Sequence, residues 1–186
     1  EFRLHPMQRQ VVGGSLIFPF ARARELLAFY AEFSGSAPDD LYVDAIMHSP
    51  RGGKDGAFIL HACHSGSAAD AERDLAPLAK LGKPLAGSIE AVDYVALQRS
   101  SDRSDPRNEG TYLMSGFISG LRAEAMDAIV QGFEPHPQRG TTVFFQHAGG
   151  AIARVAKDAT AFPHRASSHN MLAAVSWSLD DDRAPH

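Results

Sequence analysis

Apolar residues recur along the chain with two periods. Residues 7–18 are apolar and β-rich, with Val11, Val12, Leu16, Ile17 and Phe18 around Gly13-Gly14. They predict a strand that bends where the glycines free the backbone. From residue 20 to 33 the period lengthens. Leu26, Leu27, Tyr30 and Phe33 fall at helical spacing, and Arg22, Arg24, Glu25 and Glu32 fall mainly away from them, as in an amphipathic helix. Ser34-Gly35-Ser36 ends that helix, and Ala37-Pro38-Asp39-Asp40 makes a turn. Strands are predicted over 41–48 and 57–64, joined by a Gly- and Pro-rich hairpin connection.

Ser67 is placed to cap a helix whose Ala68, Ala71, Leu75, Leu78 and Ala79 share a face. Pro77 should interrupt it and Gly82 close it. A short strand over 84–90 and a short helix over 92–99 follow, then a polar, charge-rich loop over 100–110. Residues 111–119 read as a strand. Residues 121–133 read as a helix striped by Met126, Ile129, Val130 and Phe133, and Pro135-His136-Pro137 breaks it. The remainder predicts a strand over 141–148, a turn at Gly149-Gly150 and a short strand or extended piece over 151–155. An irregular stretch over 158–168 and a last strand over 170–177 precede the solvated Asp180, Asp181 and Asp182.

The order is therefore β-α-β-β-α-β, a short helix, then β-α-β-β. Consecutive strands joined by tight turns pair antiparallel. Three helices with one apolar stripe each must bury it, at roughly 1.5–3 kcal/mol per large side chain. The expected fold class is α+β: a mainly antiparallel sheet with helices packed on one face. The other sheet face is left to meet water, a partner or another domain.

Composition narrows the function classes. The 186 residues suit one domain or two small ones, and 44% hydrophobic with 22% charged residues excludes a disordered chain. A lone Cys63 excludes a disulfide scaffold. The net charge of −4 offers no basic field, so neither nucleic acid nor a membrane surface is expected as a partner. No apolar run approaches the ~20 residues that span a bilayer. The chain opens Glu1-Phe2-Arg3-Leu4, without an initiator Met or a signal-peptide pattern. The expectation is an internal piece of a longer, cytoplasmic protein.

His61-Ala62-Cys63-His64 is the densest group of metal-type ligands. On a strand His61 and Cys63 share a face and His64 takes the other, too few convergent ligands for zinc. They read as ordinary side chains at a strand end, and no local signature marks Cys63 as a nucleophile. No two of the nine histidines have His-x-x-x-His spacing, so no metal site is expected. Gly13-Gly14, Gly52-Gly53 and Gly149-Gly150 belong to neither common phosphate-loop pattern. Asp102, Asp105 and Glu109 read as a solvated loop.

Two strands are more informative. Over 141–148, Thr142, Phe144 and Gln146 share one face and Val143, Phe145 and His147 the other. Apolar residues on both sides suit burial on both. The strand is either an ordinary central strand or one whose Phe144 packs on a ligand while Gln146 hydrogen-bonds it. Over 170–177, Asn170, Leu172, Ala174 and Ser176 make a small, mildly polar face suited to a cavity floor. Met171, Ala173, Val175 and Trp177 make a core face anchored by the only Trp.

GGAIARV (149–155), DATAFPHR (158–165) and a strand ending in Trp177 form a run that resembles the bacterial FAD-linked oxidases of the berberine-bridge-enzyme type. That group includes hydroxynicotine, glucooligosaccharide and aclacinomycin oxidases. EFRLHP followed by VVGG, LAPLAKLGKPL (75–85), YVALQRSSD (94–102) and GTYLMSGFI (110–118) match further landmarks in the same order. The resemblance covers nearly the whole chain.

The resemblance implies that residues 1–186 are the substrate-binding domain, a ferredoxin-like fold with elaborations. Its bare sheet face would cover the isoalloxazine ring of FAD and form the cavity for a small-molecule substrate. FAD would be held mainly by an FAD-binding domain elsewhere in the full-length protein. The covalent His and Cys attachments of many members belong to that domain, so the resemblance gives His61 and Cys63 no such role. The C-terminal berberine-bridge segment is likewise expected beyond these residues. The implied activity is hydride transfer from an alcohol, sugar or amine to FAD, with oxygen as acceptor, and the 186 residues alone should be inactive.

The resemblance also implies site residues. Gln146 stands three residues before Gly149-Gly150, on a strand that contacts substrate in the family, and Phe144 goes with it. Some members place an acid or amide five residues before the Trp; here that position is Leu172, and Asn170 is the nearest polar group on its face. Tyr112 stands at the family's Tyr, with Met114 where Lys is often found, which implies a less charged cavity. The TAFPHR segment is expected to fix loop geometry. The competing reading is a stand-alone α+β ligand-binding or dimerisation module, its bare face pairing with a second copy.

Overall fold

Leu26, Leu27, Tyr30 and Phe33 repeat every three or four residues and form the buried stripe of α1 (Ala23–Gly35). The structure, a computed structural model, describes residues 6–53, 55–100, 102 and 109–179. A single 3-10 turn, Phe20–Arg22, leads into α1. Beneath the helix lie β2 (Leu41–Ser49) and β3 (Ala57–His64). Their Leu41, Val43, Ala45, Met47, Phe58 and Leu60 join the helix stripe in one core. Tyr30 is fully buried there, and its hydroxyl donates to the carbonyl of Phe145 at 2.9 Å. That bond ties the helix to the sheet inside an apolar layer.

The remaining strands are β1 (Gln10–Pro19), β4 (Ile89–Asp93), β5 (Glu109–Ile118), β6 (Gly140–His147) and β7 (His169–Ser178). The remaining helices are α2 (Ala68–Leu75), α3 (Tyr94–Arg99) and α4 (Ala123–Gln131). The seven strands make one sheet in the order β4-β1-β3-β2-β6-β7-β5. Every neighbouring pair is antiparallel. The expected α+β class, antiparallel sheet and element order are all found.

Local chemistry sets the helix ends. Ser67 Oγ accepts the Asp70 N–H at 3.1 Å and starts α2. Beyond Leu75 the chain tightens into a 3-10 segment, Ala76–Leu81, because Pro77 has no N–H for an α-turn. Gly82, at φ +73°, closes it. The helix expected over 92–99 starts later, at Tyr94. Val92 and Asp93 remain in β4, opposite Val11 and Gln10, and the Asp93 carboxylate caps the N–H groups of Val95 and Ala96. Only Ala86 bridges to Ile17 ahead of β4, so the strand expected over 84–90 is mostly a connection. Gly14 makes that approach possible: at φ +147°, a Cβ there would lie 2.1 Å from the Ser88 carbonyl oxygen.

Three expectations are corrected. Residues 151–155 are not extended; Gly150 takes φ +59° and a 3-10 turn, Gly150–Ile152, folds back on itself. Trp177 is half-buried and shields Gly110, where a Cβ would meet its ring at 2.4 Å, instead of anchoring the main core. The helices do not all share one face. The stretches carrying α1, α2 and α4 supply the main core, whereas α3 lies on the opposite face, with Leu97 against Gly13. The Asp93 cap turns the chain over the sheet edge there, and Gly13 offers no side chain to block it. Much of the loop expected over 100–110, together with residues 1–5 and the acidic run Asp180 to Asp182, lies outside the described residues. None of the described helices is long and apolar enough to cross a membrane.

Tyr30→Phe should remove the hydroxyl's bond to the Phe145 carbonyl from the core and cost about 1–2 kcal/mol. Leu26→Ala should cost about 2–5 kcal/mol. Urea unfolding of the two variants checks both values and their order.

Candidate functional site

Helices on one face leave the alternate residues of the central strands on the other. The register then decides which of those residues meet. Ser15 on β1 stands opposite His61 on β3, His61 opposite Asp44 on β2, Asp44 opposite Gln146 on β6, and Gln146 opposite Asn170 on β7. The result is one polar row across five strands. Two residues along each strand, Ile17, Ile59, Ile46, Phe144 and Leu172 line up in the same way as an apolar row. On the other side of the polar row stand Gly13, Cys63 and Tyr42.

Hydrogen bonds order the ends of the row. Ser15 Oγ and His61 Nδ1 are 3.0 Å apart, and Asn170 Nδ2 donates to Gln146 Oε1 at 2.9 Å. The Gln146 carbonyl oxygen is thereby engaged and its NH2 group is the free end, a donor. Asp44 sits between them, only 5% exposed. It has a hydrogen bond with Tyr42 and a backbone one from His147, yet its Oδ1 has no partner in the structure. Burial outweighs both bonds and lifts the Asp44 carboxyl to about 6. Burial and the nearby Asp44 charge push the Tyr42 phenol well above its usual range. Burial lowers His61 and raises the Cys63 thiol.

Two walls bound this face. On the β1 side α3 contributes Tyr94, Leu97 and Gln98 to a pocket of about 630 Å³ that also includes Tyr42, Asp44 and Gln146. On the β7 side Phe117 of β5 stands opposite Asn170. His164 stacks on the Phe117 ring at 4.5 Å and Phe162 meets it edge-on at 5.4 Å. Arg165 lies over the Phe162 ring at 4.9 Å and donates to Thr160 Oγ1. The 160–165 segment thus shapes a loop, as expected, and that loop supports an aromatic wall.

Of the five expected site residues, Phe144, Gln146, Asn170 and Leu172 come together on this face. Tyr112 does not join them. It faces the helix side of β5, opposite Val175, and is 62% exposed beside an apolar groove of about 340 Å³ that includes Ile129 and Phe133. His61 and Cys63 share the bare face and His64 takes the other, as the alternation requires. The fully buried His64 accepts the Gly66 N–H at Nδ1 and presents Nε2 to Asp74 at 3.0 Å, which is a structural arrangement. No group of metal ligands forms among the described residues. Asp44 and Tyr42 were not foreseen as site residues. The available signal was a charged residue at mid-strand in 41–48, in phase with Tyr42, Ile46 and His48.

No protein-family model matches the chain. It is 27% identical to an FAD-linked oxidoreductase of Dictyostelium discoideum over 98% of its own length, and spans 40% of that relative. Its fold matches part of the glucooligosaccharide oxidase of Acremonium strictum, with TM-score 0.77 and 19% identity over 97% of this chain and 41% of that one. It also matches BBE-like 28 from Arabidopsis thaliana, with TM-score 0.75 and 13% identity over 96% of this chain and 39% of that one. Aclacinomycin oxidoreductase gives TM-score 0.77 and 12% identity over 95% and 38%. The chain is thus similar, over nearly its whole length, to part of an FAD-linked oxidoreductase, and shares the fold of the corresponding part of berberine-bridge-type oxidases.

The site makes a prediction about stability. Folded Asp44 holds its proton up to about pH 6, whereas an unfolded aspartate releases it near 3.9. Between those values the folded chain binds more protons, so this group's contribution to stability falls as pH rises. Asp44→Asn should therefore be about 1–3 kcal/mol more stable than the parent at pH 7.5 and equal to it near pH 4. Buried His169, lowered to about 4, adds an opposite slope that is common to both proteins and cancels in the difference. Paired denaturant titrations across this range check the sign.

Proposed function

We propose that the chain is the substrate-binding, flavin-covering domain of a larger FAD-dependent oxidoreductase acting on a small organic molecule. The observation that carries this is the row of polar groups in register on the uncovered sheet face, beside a row of apolar ones. Its support from kinship is the similarity of 98% of this chain to 40% of an FAD-linked oxidoreductase. FAD, when bound, would supply the hydride acceptor.

The residues present fit the covering of a ring. Ile46, Phe144 and Leu172 form an apolar strip suited to a planar surface and to excluding water from it. The described residues include no Gly-rich turn opening a helix of the kind that cradles a pyrophosphate, so the cofactor's holding falls to other parts of the protein. Gln146, oriented by Asn170, offers its NH2 group to a substrate oxygen. Asp44 offers a buried acceptor to a substrate O–H or N–H. The aromatic wall at Phe117 and the α3 wall confine the substrate along the row.

Purified intact protein should show stoichiometric flavin absorbance, while the 186-residue chain mixed with FAD should elute from gel filtration without it. In the intact protein Phe144→Ala and Gln146→Ala should each slow flavin bleaching by its best substrate, found from a panel of alcohols, sugars and amines, by about tenfold or more. A flavin-free intact protein, or full-rate bleaching in both variants, would refute this reading.

A further inference from the structure

Among the described residues, two buried side-chain atoms lack any hydrogen-bond partner: Arg165 Nε, in the exposed 160–165 segment, and Asp44 Oδ1, at the centre of the sheet face. The second belongs to a carboxylate that lines a pocket. A carboxylate taken out of water without a cation is costly, and structures retain one where something else completes it. Among the described residues, no ionisable group facing Asp44 does so. On its own strand are Tyr42, and His48 farther along; on β3 are His61 and Cys63; on α3 is Tyr94. On β6 that face presents only Thr142, Phe144 and Gln146. Burial lowers both histidines and so disfavours their charged forms. No Lys or Arg lines the pocket among the described residues.

We propose that this pocket takes a protonated amine, an organic cation whose N–H bonds Asp44 Oδ1 and whose charge lies among the rings of Tyr42, Tyr94 and Phe144. A neutral hydroxyl could satisfy the orphaned oxygen but would leave the buried charge uncompensated. An ammonium does both, and aromatic faces attract it further. This deepens the functional reading by naming a substrate class, and it rests on that reading only in calling the ligand a substrate. Binding itself requires no flavin.

Benzylammonium and benzyl alcohol, which share a ring and differ in charge, are the probes. Each is titrated into the 186-residue chain, with chemical shifts of Tyr42, Phe144 and Gln146 followed at constant ionic strength. The expected result is binding of benzylammonium about tenfold tighter than benzyl alcohol at pH 7.5. The preference should vanish in Asp44→Asn. It should also vanish in the parent chain near pH 4.5, where Asp44 holds its proton, so the test survives a variant that fails to fold. Equal affinity for the two probes, no binding of either, or a preference untouched by both the variant and the pH change, would overturn the proposal. A flavin-free intact protein would refute the oxidoreductase reading and leave the cation site standing; a flavoprotein with no cation preference would do the reverse.

Discussion

The structure depends on the alternation of residues along its central strands, locked by the apolar layer on one side. Phe18, Phe58, Leu60, Met47 and Phe145 are fully or almost fully buried beneath α1, with Tyr30 bonded to the backbone of β6. A one-residue slip of any of these strands would turn its large side chains out and its polar ones in. The register is therefore held by the core and not by the bare face. The bare face inherits it, and Ser15, His61, Asp44, Gln146 and Asn170 stand in line because Leu16, Leu60, Ala45, Phe145 and Met171 must stand in line behind them.

That inheritance permits polar groups which folding alone would disfavour. Asp44 stands on a strand whose alternate residues Val43, Ala45 and Met47 enter the core, so the strand's stability is secured without it. An orphaned carboxylate oxygen can then be kept at mid-sheet, in a setting where it raises the energy of the free protein and is relieved by a ligand. The walls follow the same economy of position. The α3 wall begins at an Asp93 cap over the sheet edge, and the opposite wall is built by stacking His164 and Phe162 on a residue that β5 already presents. Rigid strands supply the polar groups and short loops supply the boundaries.

Much of this was legible in the chain. The stripe at Leu26, Leu27, Tyr30 and Phe33, the Ser67 cap, the break at Pro77 and the alternation in 141–148 and 170–177 are local signals, and each was realised. Alternation also placed Phe144 with Gln146 and Asn170 with Leu172. It could not say which strand would lie beside which. The pairing of β2 with β6 joins segments nearly a hundred residues apart, and only that pairing brings Asp44 to Gln146. Tyr112 shows the same limit from the other side: its alternation was visible, but the face it shares was decided by the pairing of β5 with β7. The α3 placement depended on an edge crossing, and the Gly150 turn on one positive φ angle, neither of which periodicity reports.

The central claim is that the bare face is the ligand-facing side of a flavoprotein, and a crystal structure of the intact flavin-loaded protein tests it most directly. The account predicts the isoalloxazine ring over the Ile46, Phe144 and Leu172 strip, with the intervening space open to Asp44 and Gln146. A ring lying against the helix-covered side, or a bare face turned wholly to solvent, would contradict it.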